Sequence, residues 1–273
     1  MQKWAILDIE TTGINPGSDS IIDIGFLQFE GLKLVKRYSS LVRTETRISH
    51  FIKKLTGITN QMVQKAPTFD HIWDEVADLD DHIVIAHNAS FEASFLEEEF
   101  ASRGLNIEFV DSIPFLGLLD PLKQKLGLEK LLSDYCIADS EVHRGLEDSE
   151  DLLRVLLLSL SACRANDIYW NFIKEKFETS FKGNWWFEDF VKLSNEELRE
   201  LAMVVDFDID SCLQKISDID ALTRKKNEDE TSEKMFDLKF NGDNLKEILR
   251  SKTLRKNSHL ILTENPKRKW PLG

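Results

Sequence analysis

The chain has 273 residues, of which 48 are acidic and 35 basic, so its formal net charge is −13. Hydrophobic residues make up 42% and charged residues 30%, which is typical of soluble globular proteins and excludes collagen-like, low-complexity and wholly disordered chains. No segment of the sequence approaches the roughly 18 consecutive apolar residues of a membrane span, and the first residues lack a signal-peptide pattern. Three cysteines (Cys136, Cys163 and Cys212) form no CxxC pair, so we expect a cytoplasmic protein without a disulfide framework or structural zinc.

The acidic charge is concentrated in the first part of the chain. Residues 1–163 contain 15 basic and 27 acidic residues, whereas residues 164–273 contain 20 and 21. An acidic surface binds polyanions poorly, so nucleic-acid chemistry in the first part would need metal ions that offset the carboxylates.

The apolar pattern of residues 1–163 predicts strands first and then strands that alternate with helices. The predicted strands span residues 4–10, 21–29, 32–42, 83–86 and 109–111. The predicted helices span residues 60–64, 69–79, about 89–103 and much of the remaining chain up to residue 163. This order indicates an α/β fold with a mixed sheet covered by helices.

Residues 164–273 give weaker patterns. An aromatic cluster at 181–190 is interpreted as core rather than as a base-stacking surface, and Ser194 with Glu197 forms a capping box that opens a helix. We expect residues 224–233 to be a charged loop and the following segments to form a small α+β region that ends in a basic tail. No P-loop motif is present, which excludes a complete helicase in this chain.

Two acidic residues, Asp8 and Glu10, lie at the end of the first predicted strand. Side chains two positions apart on a strand point to the same face, so their carboxylates would lie side by side. Such a pair of acids either simply lies where the strand runs into a polar turn, or binds a divalent cation, which prefers oxygen ligands.

Two later segments favour the metal interpretation. Glu92 falls in the first turn of the helix that follows residues 83–86, where an acid also simply suits the positive end of a helix. Asp148 falls on the apolar face of a predicted helix, with His143 five residues before it. A buried acid needs a partner, and a metal ion is one candidate. Glu147, Glu150 and Asp151 are expected to face solvent.

Five short segments together resemble one enzyme superfamily. Positions 8–13 read DIETTG, positions 87–96 read HNASFEASFL and positions 143–148 read HRGLED. Positions 56–59 read TGIT, and Asp-Ser follows the fifth predicted strand at 111–112. In order and spacing these segments resemble the DEDDh, DnaQ-like 3′–5′ exonucleases, typified by the DNA polymerase III epsilon proofreading subunit. The resemblance covers about residues 3–163, so we divide the chain into an exonuclease domain at 1–163 and a C-terminal domain of unknown function at 164–273.

The resemblance implies a ribonuclease H-like fold with a mixed five-stranded sheet and a metal-dependent 3′–5′ exonuclease that releases nucleoside 5′-monophosphates. It implies two Mg²⁺ or Mn²⁺ ions bound by the four acids of the motifs, with His143 as the general base. The implied ligands are Asp8, Glu10, Glu92 and Asp148. The implied contacts to the terminal nucleotide are Thr11, Thr12, Gly13, His87 and Phe91. The implied partners are 3′ ends of single-stranded DNA, favoured over RNA, and a polymerase or helicase, with no membrane.

Two positions depart from the family pattern. Glu92 stands where the family has Asp, and its extra methylene matters because Mg²⁺ demands tight octahedral geometry. Gly145 stands where the family has Ala. The alternative is therefore a catalytically weakened module on the same fold that binds nucleic-acid ends or another protein.

Overall fold

The computed structural model describes residues 3–120, 123, 125–165, 169–171, 173–174 and 185–226. The predicted α+β segments between 236 and 262 and the basic tail lie outside these residues, as does the beginning of the aromatic cluster. Among the described residues, no helix is both long enough and apolar enough to cross a membrane.

The five predicted strands form one mixed sheet, which confirms the sheet expected from the sequence. The strands are β1 (Lys3–Thr11), β2 (Ile21–Glu30), β3 (Lys33–Leu41), β4 (Ile83–Ala86) and β5 (Glu108–Asp111). Their spatial order is β3-β2-β1-β4-β5, with antiparallel pairing among β1, β2 and β3 and parallel pairing of β4 with β1 and β5.

The described residues include ten α-helices, three of which the sequence patterns did not predict. The helices are α1 (His50–Thr56), α2 (Asn60–Gln64), α3 (Phe69–Ala77), α4 (Ser90–Ser102), α5 (Ser112–Leu119), α6 (Leu128–Asp134), α7 (Gly145–Arg164), α8 (Trp185–Lys192), α9 (Asn195–Val204) and α10 (Ile209–Lys226). Helices α1, α8 and α10 are the unpredicted ones, and α10 continues into the segment expected to be a charged loop. The capping box of Ser194 and Glu197 is confirmed at the start of α9.

The chain separates into two compact units, Met1–Ser112 with Glu141–Leu153, and Ile113–Ser140 with Arg154–Gly273. The first unit, which we call the sheet unit, contains the five strands and helices α1 to α4. The division falls inside α7, and the boundary expected at residue 163 stays a prediction.

The sheet unit has its main core on one face of the sheet. Leu7 and Phe26 from the central strands pack there with Val76 of α3 and Phe100 of α4, and all four are fully buried. Because side chains alternate along a strand, Asp8 lies on the other face of β1 from Leu7.

In the second unit, Phe115 of α5 packs edge to face against Phe190 of α8, with ring centroids 6.1 Å apart. Phe190 is fully buried, which agrees with the expectation that this end of the aromatic cluster is core.

Candidate active site

The first two acidic residues of the site lie on β1. Asp8 pairs with Gly25 of β2, and Glu10 pairs with Asp23, so the two carboxylates share one face of the sheet. Burial raises the pKa of Asp8 well above its usual range, and the charge of Glu92 raises it further. Burial likewise raises the pKa of Glu10 to about 8.

Asp148 reaches the same place from the first turn of α7. Its side chain is 1% exposed, and its Oδ2 accepts a hydrogen bond of 2.8 Å from the backbone N–H of Arg144. Its Oδ1 is buried without a hydrogen-bond partner among the described residues. Burial raises the pKa of Asp148 to about 7, with the nearby Glu141 carboxylate adding to the effect.

A contact between two glycines brings α7 onto the sheet. A β-carbon on Gly145 would lie 2.5 Å from the backbone nitrogen of Gly25 and 2.8 Å from the carbonyl oxygen of Asp8. The hydroxyl of Ser149 donates to the carbonyl oxygens of both glycines, at 3.1 Å to Gly25 and 2.7 Å to Gly145. The helix start therefore rests directly on the backbone of β2, beside Asp8.

His143 lies in the loop just before α7 with a positive φ of 57°. Its Nδ1 is 4.0 Å from Oε1 of Glu10 and 3.8 Å from Oε1 of Glu141. One ligand atom each from Glu10, His143 and Asp148 lie within 4.8 Å of one another. A left-handed backbone is uncommon for a residue with a β-carbon, and such conformations concentrate at functional sites.

Glu92 is the fourth acid of the site and lies in the first turn of α4, 2% exposed. Burial raises its pKa to about 8, with the charges of Asp111 and Glu10 adding to the effect. Its Oε2 has no hydrogen-bond partner among the residues described. The preceding Asn88 is not the N-cap of α4, because Ala89 occupies that position and Asn88 has a positive φ of 67°.

The electrostatics of these acids fit a divalent cation. Asp8, Glu10, Glu92 and Asp148 are mostly or fully withdrawn from water, and each has a raised pKa because burial and neighbouring carboxylates penalise its charge. The unpartnered oxygens of Glu92 and Asp148 are of the ligand type that Mg²⁺ and Mn²⁺ prefer.

The residues expected to contact the nucleotide lie in two places of the sheet unit, at the end of β1 with the loop that follows, and between β4 and the first turn of α4. Thr11 and Thr12 are buried, and the Thr11 hydroxyl donates to the carbonyl oxygen of Gly13. His87 follows β4 and bonds through Nδ1 to the Ser112 hydroxyl at 2.9 Å. The half-buried ring of Phe91 packs against Phe95, with centroids 5.2 Å apart.

The carboxylate of Asp19 stabilises the loop that follows β1 through two hydrogen bonds. Asp19 accepts from the hydroxyl of Thr12 at 3.0 Å and from the backbone N–H of Asn15 at 3.0 Å. A β-carbon on Gly13 would lie 2.5 Å from Oδ2 of Asp19, so the glycine makes room for this bond.

The sequence patterns missed two acidic residues that lie at the site. Glu141 is in a loop without periodicity, yet its charge raises the pKa of Asp8, Glu10 and Asp148.

Asp23 is fully buried and accepts a bond of 2.7 Å from Nε of Arg144. The presence of an acidic residue inside the predicted strand 21–29 could have indicated that Asp23 lies at a functional site. Two acids of α7 that were expected to face solvent do not: Asp151 is 5% exposed, and the side chain of Glu150 is 13% exposed.

Comparison with known proteins shows similarity to exonucleases. Residues 5–156 match the RNase_T exonuclease family. Over 165 residues the chain is 30% identical to the Staphylococcus aureus protein named 3′-5′ exonuclease DinG, a match that covers 58% of this chain and 18% of the relative. The chain thus spans about a fifth of the length of the curated relatives that it matches.

The fold also matches a solved structure of Escherichia coli ExoI in complex with single-stranded DNA, in its zinc-bound form. The TM-score is 0.52 at 13% identity, and the match covers 65% of this chain and 45% of ExoI. With the family motifs and the five-stranded sheet in place, the chain belongs to the RNase_T exonuclease family within the DnaQ-like 3′–5′ exonuclease superfamily.

Proposed function

We propose that this chain is a metal-dependent 3′–5′ exonuclease that shortens single-stranded nucleic acid, with DNA favoured over RNA, and releases nucleoside 5′-monophosphates. The observation that carries the proposal is the convergence of Glu10, His143 and Asp148, whose ligand atoms lie within 4.8 Å of one another. The buried carboxylate of Glu92 lies close enough to the half-buried Asp8 to raise the pKa of Asp8.

Asp8, Glu10, Glu92 and Asp148 would hold the two divalent ions that the family implies, Mg²⁺ or Mn²⁺. When bound there, two such ions would offset the clustered negative charge of these residues and would stabilise the charge that develops on the phosphodiester. The unpartnered oxygens of Glu92 and Asp148 support this assignment.

His143 would act as the general base. Its Nδ1 lies 4.0 Å from the carboxylate of Glu10 and 3.8 Å from that of Glu141. Imidazole is the side chain suited to proton transfer near neutral pH, so His143 would accept the proton of the attacking water. The positive φ of His143 sets the direction in which its side chain points from the backbone.

The terminal nucleotide would be held by Thr11 at the end of β1, by Thr12 and Gly13 in the loop that follows, and by His87 and Phe91 near the start of α4. The hydrogen bonds of Asp19 keep the loop after β1 in one shape, so its backbone groups are positioned before the substrate arrives. A polymerase or a helicase stays the proposed kind of partner, because the resemblance implies it.

The test is digestion of a 5′-labelled single-stranded DNA oligonucleotide and of its RNA equivalent, each with Mg²⁺, Mn²⁺ or EDTA. We expect a ladder that shortens from the 3′ end, disappears with EDTA, and falls at least about 100-fold with Asp8→Asn. Asp74→Asn removes an exposed acid of α3 and is the matched control that should stay active.

Absence of shortening in both metals would contradict the proposal. Activity that appears only with Glu92→Asp would instead support the weakened module, because it would show that the longer side chain prevents productive metal binding.

A further inference from the structure

The basic residues of the sheet unit fall into two groups. Of its 11 lysines and arginines, five pair with carboxylates. The paired ones are Lys3, Lys36, Arg37, Arg103 and Arg144. Five of the other six lie in residues 43–65, and none of them forms an ion pair with a residue that the structure describes. These five are Arg43, Arg47, Lys53, Lys54 and Lys65, and all are exposed.

This pattern is unusual in so acidic a unit. The sheet unit has 23 acidic residues, but residues 43–65 contain only one, Glu45. Lysines and arginines near so many carboxylates would normally find partners among them. Residues 43–65, which we call the cationic segment, therefore form a locally positive surface on a negative body.

The cationic segment also exposes large apolar side chains. Phe51 of α1 is 70% exposed and Leu55, one turn later, is 39% exposed. Residues four apart share a helix face, so Phe51 and Leu55 lie together with Lys54 next to them. Six of the seven residues of α1 are at least partly exposed. An exposed aromatic ring among unpaired cations matches the pattern of single-strand binding surfaces, where rings stack on bases and cations hold phosphates.

The cationic segment is attached to the loop that follows β1. The hydroxyls of Thr46 and Ser20 are 2.9 Å apart, and the backbone N–H of Thr12 donates to the carbonyl oxygen of Ser20 at 2.9 Å. Ile58 of the segment is fully buried and packs in a small core with Ile22 of β2. The surface is thus a fixed neighbour of the proposed nucleotide-binding loop.

We propose that the cationic segment binds the single strand of nucleic acid that leads to the 3′ end, with Phe51 stacking on a base and Lys53, Lys54 and Arg47 holding phosphates. The proposal rests on the proposed exonuclease function and adds where the strand lies. Charge complementarity carries it, because the remaining surface of the sheet unit repels a polyanion. An acidic protein partner would meet the same charges, so the test measures the binding of an oligonucleotide directly.

The test measures binding of a fluorescent 20-nucleotide single strand whose 3′-terminal linkages are phosphorothioates, in Mg²⁺, over a range of salt concentrations. Each phosphate contact to a single strand contributes about 0.7 to the slope of log K against log salt, so Lys53→Gln with Lys54→Gln should lower the slope by about 1.4. At about 0.1 M salt this corresponds to affinity weakened by up to about 25-fold.

The matched control is Lys33→Gln with Lys125→Gln, which removes two exposed cations outside the segment. Its slope should stay close to that of the wild type. Phe51→Leu keeps apolar area but removes the ring, so it should weaken oligonucleotide binding, whereas an apolar protein contact would tolerate it.

A second readout separates this proposal from the exonuclease proposal. Hydrolysis of a thymidine 5′-nitrophenyl phosphate ester, too short to reach the segment, should be unchanged in the Lys53/Lys54 variant. If the wild-type protein hydrolyses neither this ester nor longer strands, the exonuclease proposal is contradicted, whereas the binding proposal is not. Salt slopes that are equal for the segment variant and the control would overturn the cationic segment as the strand-binding surface.

Discussion

The backbone of Gly145 lies against that of Gly25, so closely that a β-carbon on Gly145 would be 2.5 Å from the Gly25 nitrogen. A β-carbon on Gly25 would meet the nitrogen of Leu146 at 1.9 Å. Neither contact leaves room for a side chain. This mutual approach of α7 and β2 places Asp148 beside the carboxylates of β1, and it leaves no room at position 145 for the alanine of the family pattern.

Gly145→Ala should therefore destabilise the protein although alanine favours helices, because the methyl group meets backbone atoms that cannot move independently. We expect the free energy of unfolding to fall by about 1–3 kcal/mol, the usual cost of overpacking, and exonuclease activity to fall with it as Asp148 shifts. Denaturant unfolding and the oligonucleotide assay measure the two effects.

Gly17→Ala is the control for that change, since its β-carbon would meet only the Asn15 side-chain oxygen, at 3.4 Å. Equal stability of Gly145→Ala and the wild type would show that α7 can move away from β2 at little cost.

His143→Asn tests the general base without disturbing the backbone. Asparagine tolerates positive φ better than most residues, so the loop before α7 should keep its conformation. We expect kcat to fall by about 10²–10⁴-fold, the usual contribution of a general base, with unchanged binding of a 3′-protected oligonucleotide.

His71→Asn on the exposed surface of α3 is the matched control. A His143→Asn enzyme whose rate stays near that of the wild type would assign the proton transfer to another group.

Glu141→Gln tests a residue that motif analysis does not mark. Its carboxylate raises the pKa of Glu10 and Asp148, so its removal should lower both and weaken proton competition for the metal. It also removes attraction for the cation. We expect the Mg²⁺ concentration for half-maximal activity to rise at alkaline pH and to vary less with pH.

Glu97→Gln, an exposed acid on α4, should leave the Mg²⁺ titration of the wild type unchanged at every pH. A Glu141→Gln titration that also follows the wild type would place Glu141 outside the metal-binding charge cluster.

The metal-free protein should lose stability as the pH rises. The pKa values of Glu10 and Glu92 are raised from 4.5 to about 8, and that of Asp148 from 3.8 to about 7. Because the folded state holds these protons more tightly than the unfolded state, their contribution is complete below about pH 4 and is lost as the pH rises through about 7–8. Each fully responding group changes the free energy of unfolding by about 1.4 kcal/mol per pH unit.

Denaturant unfolding in EDTA at several pH values measures this fall, and saturating Mg²⁺ should reduce it because the cation replaces the protons. Glu92→Gln should be more stable than the wild type at alkaline pH and yet inactive. A metal-free stability that rises between pH 5 and pH 8 would contradict the buried, mutually repelling carboxylates.

The strands and the motif-bearing helices could be predicted from the sequence because their signals are local. Alternating apolar residues marked β2 and β3, and the helical spacing around Asp148 marked α7. Helix α1 escaped prediction because it has only seven residues, and Thr56 is the only one of them that is buried. The same exposure makes it the centre of the cationic segment.

The four acids and the histidine of the motifs were thus determined by the sequence itself, through residue types at fixed local spacings. The places of Glu141, of Asp23 with Arg144, and of Gly145 on Gly25 were decided only by the tertiary structure. Asp23 and Arg144 are 121 residues apart in the sequence. They meet because the strand register pairs Asp23 with Glu10 and because the start of α7 packs against Gly25, two residues after Asp23. Electrostatic interactions and close packing act between residues that are distant in the sequence, so the periodicity of the sequence cannot predict these contacts.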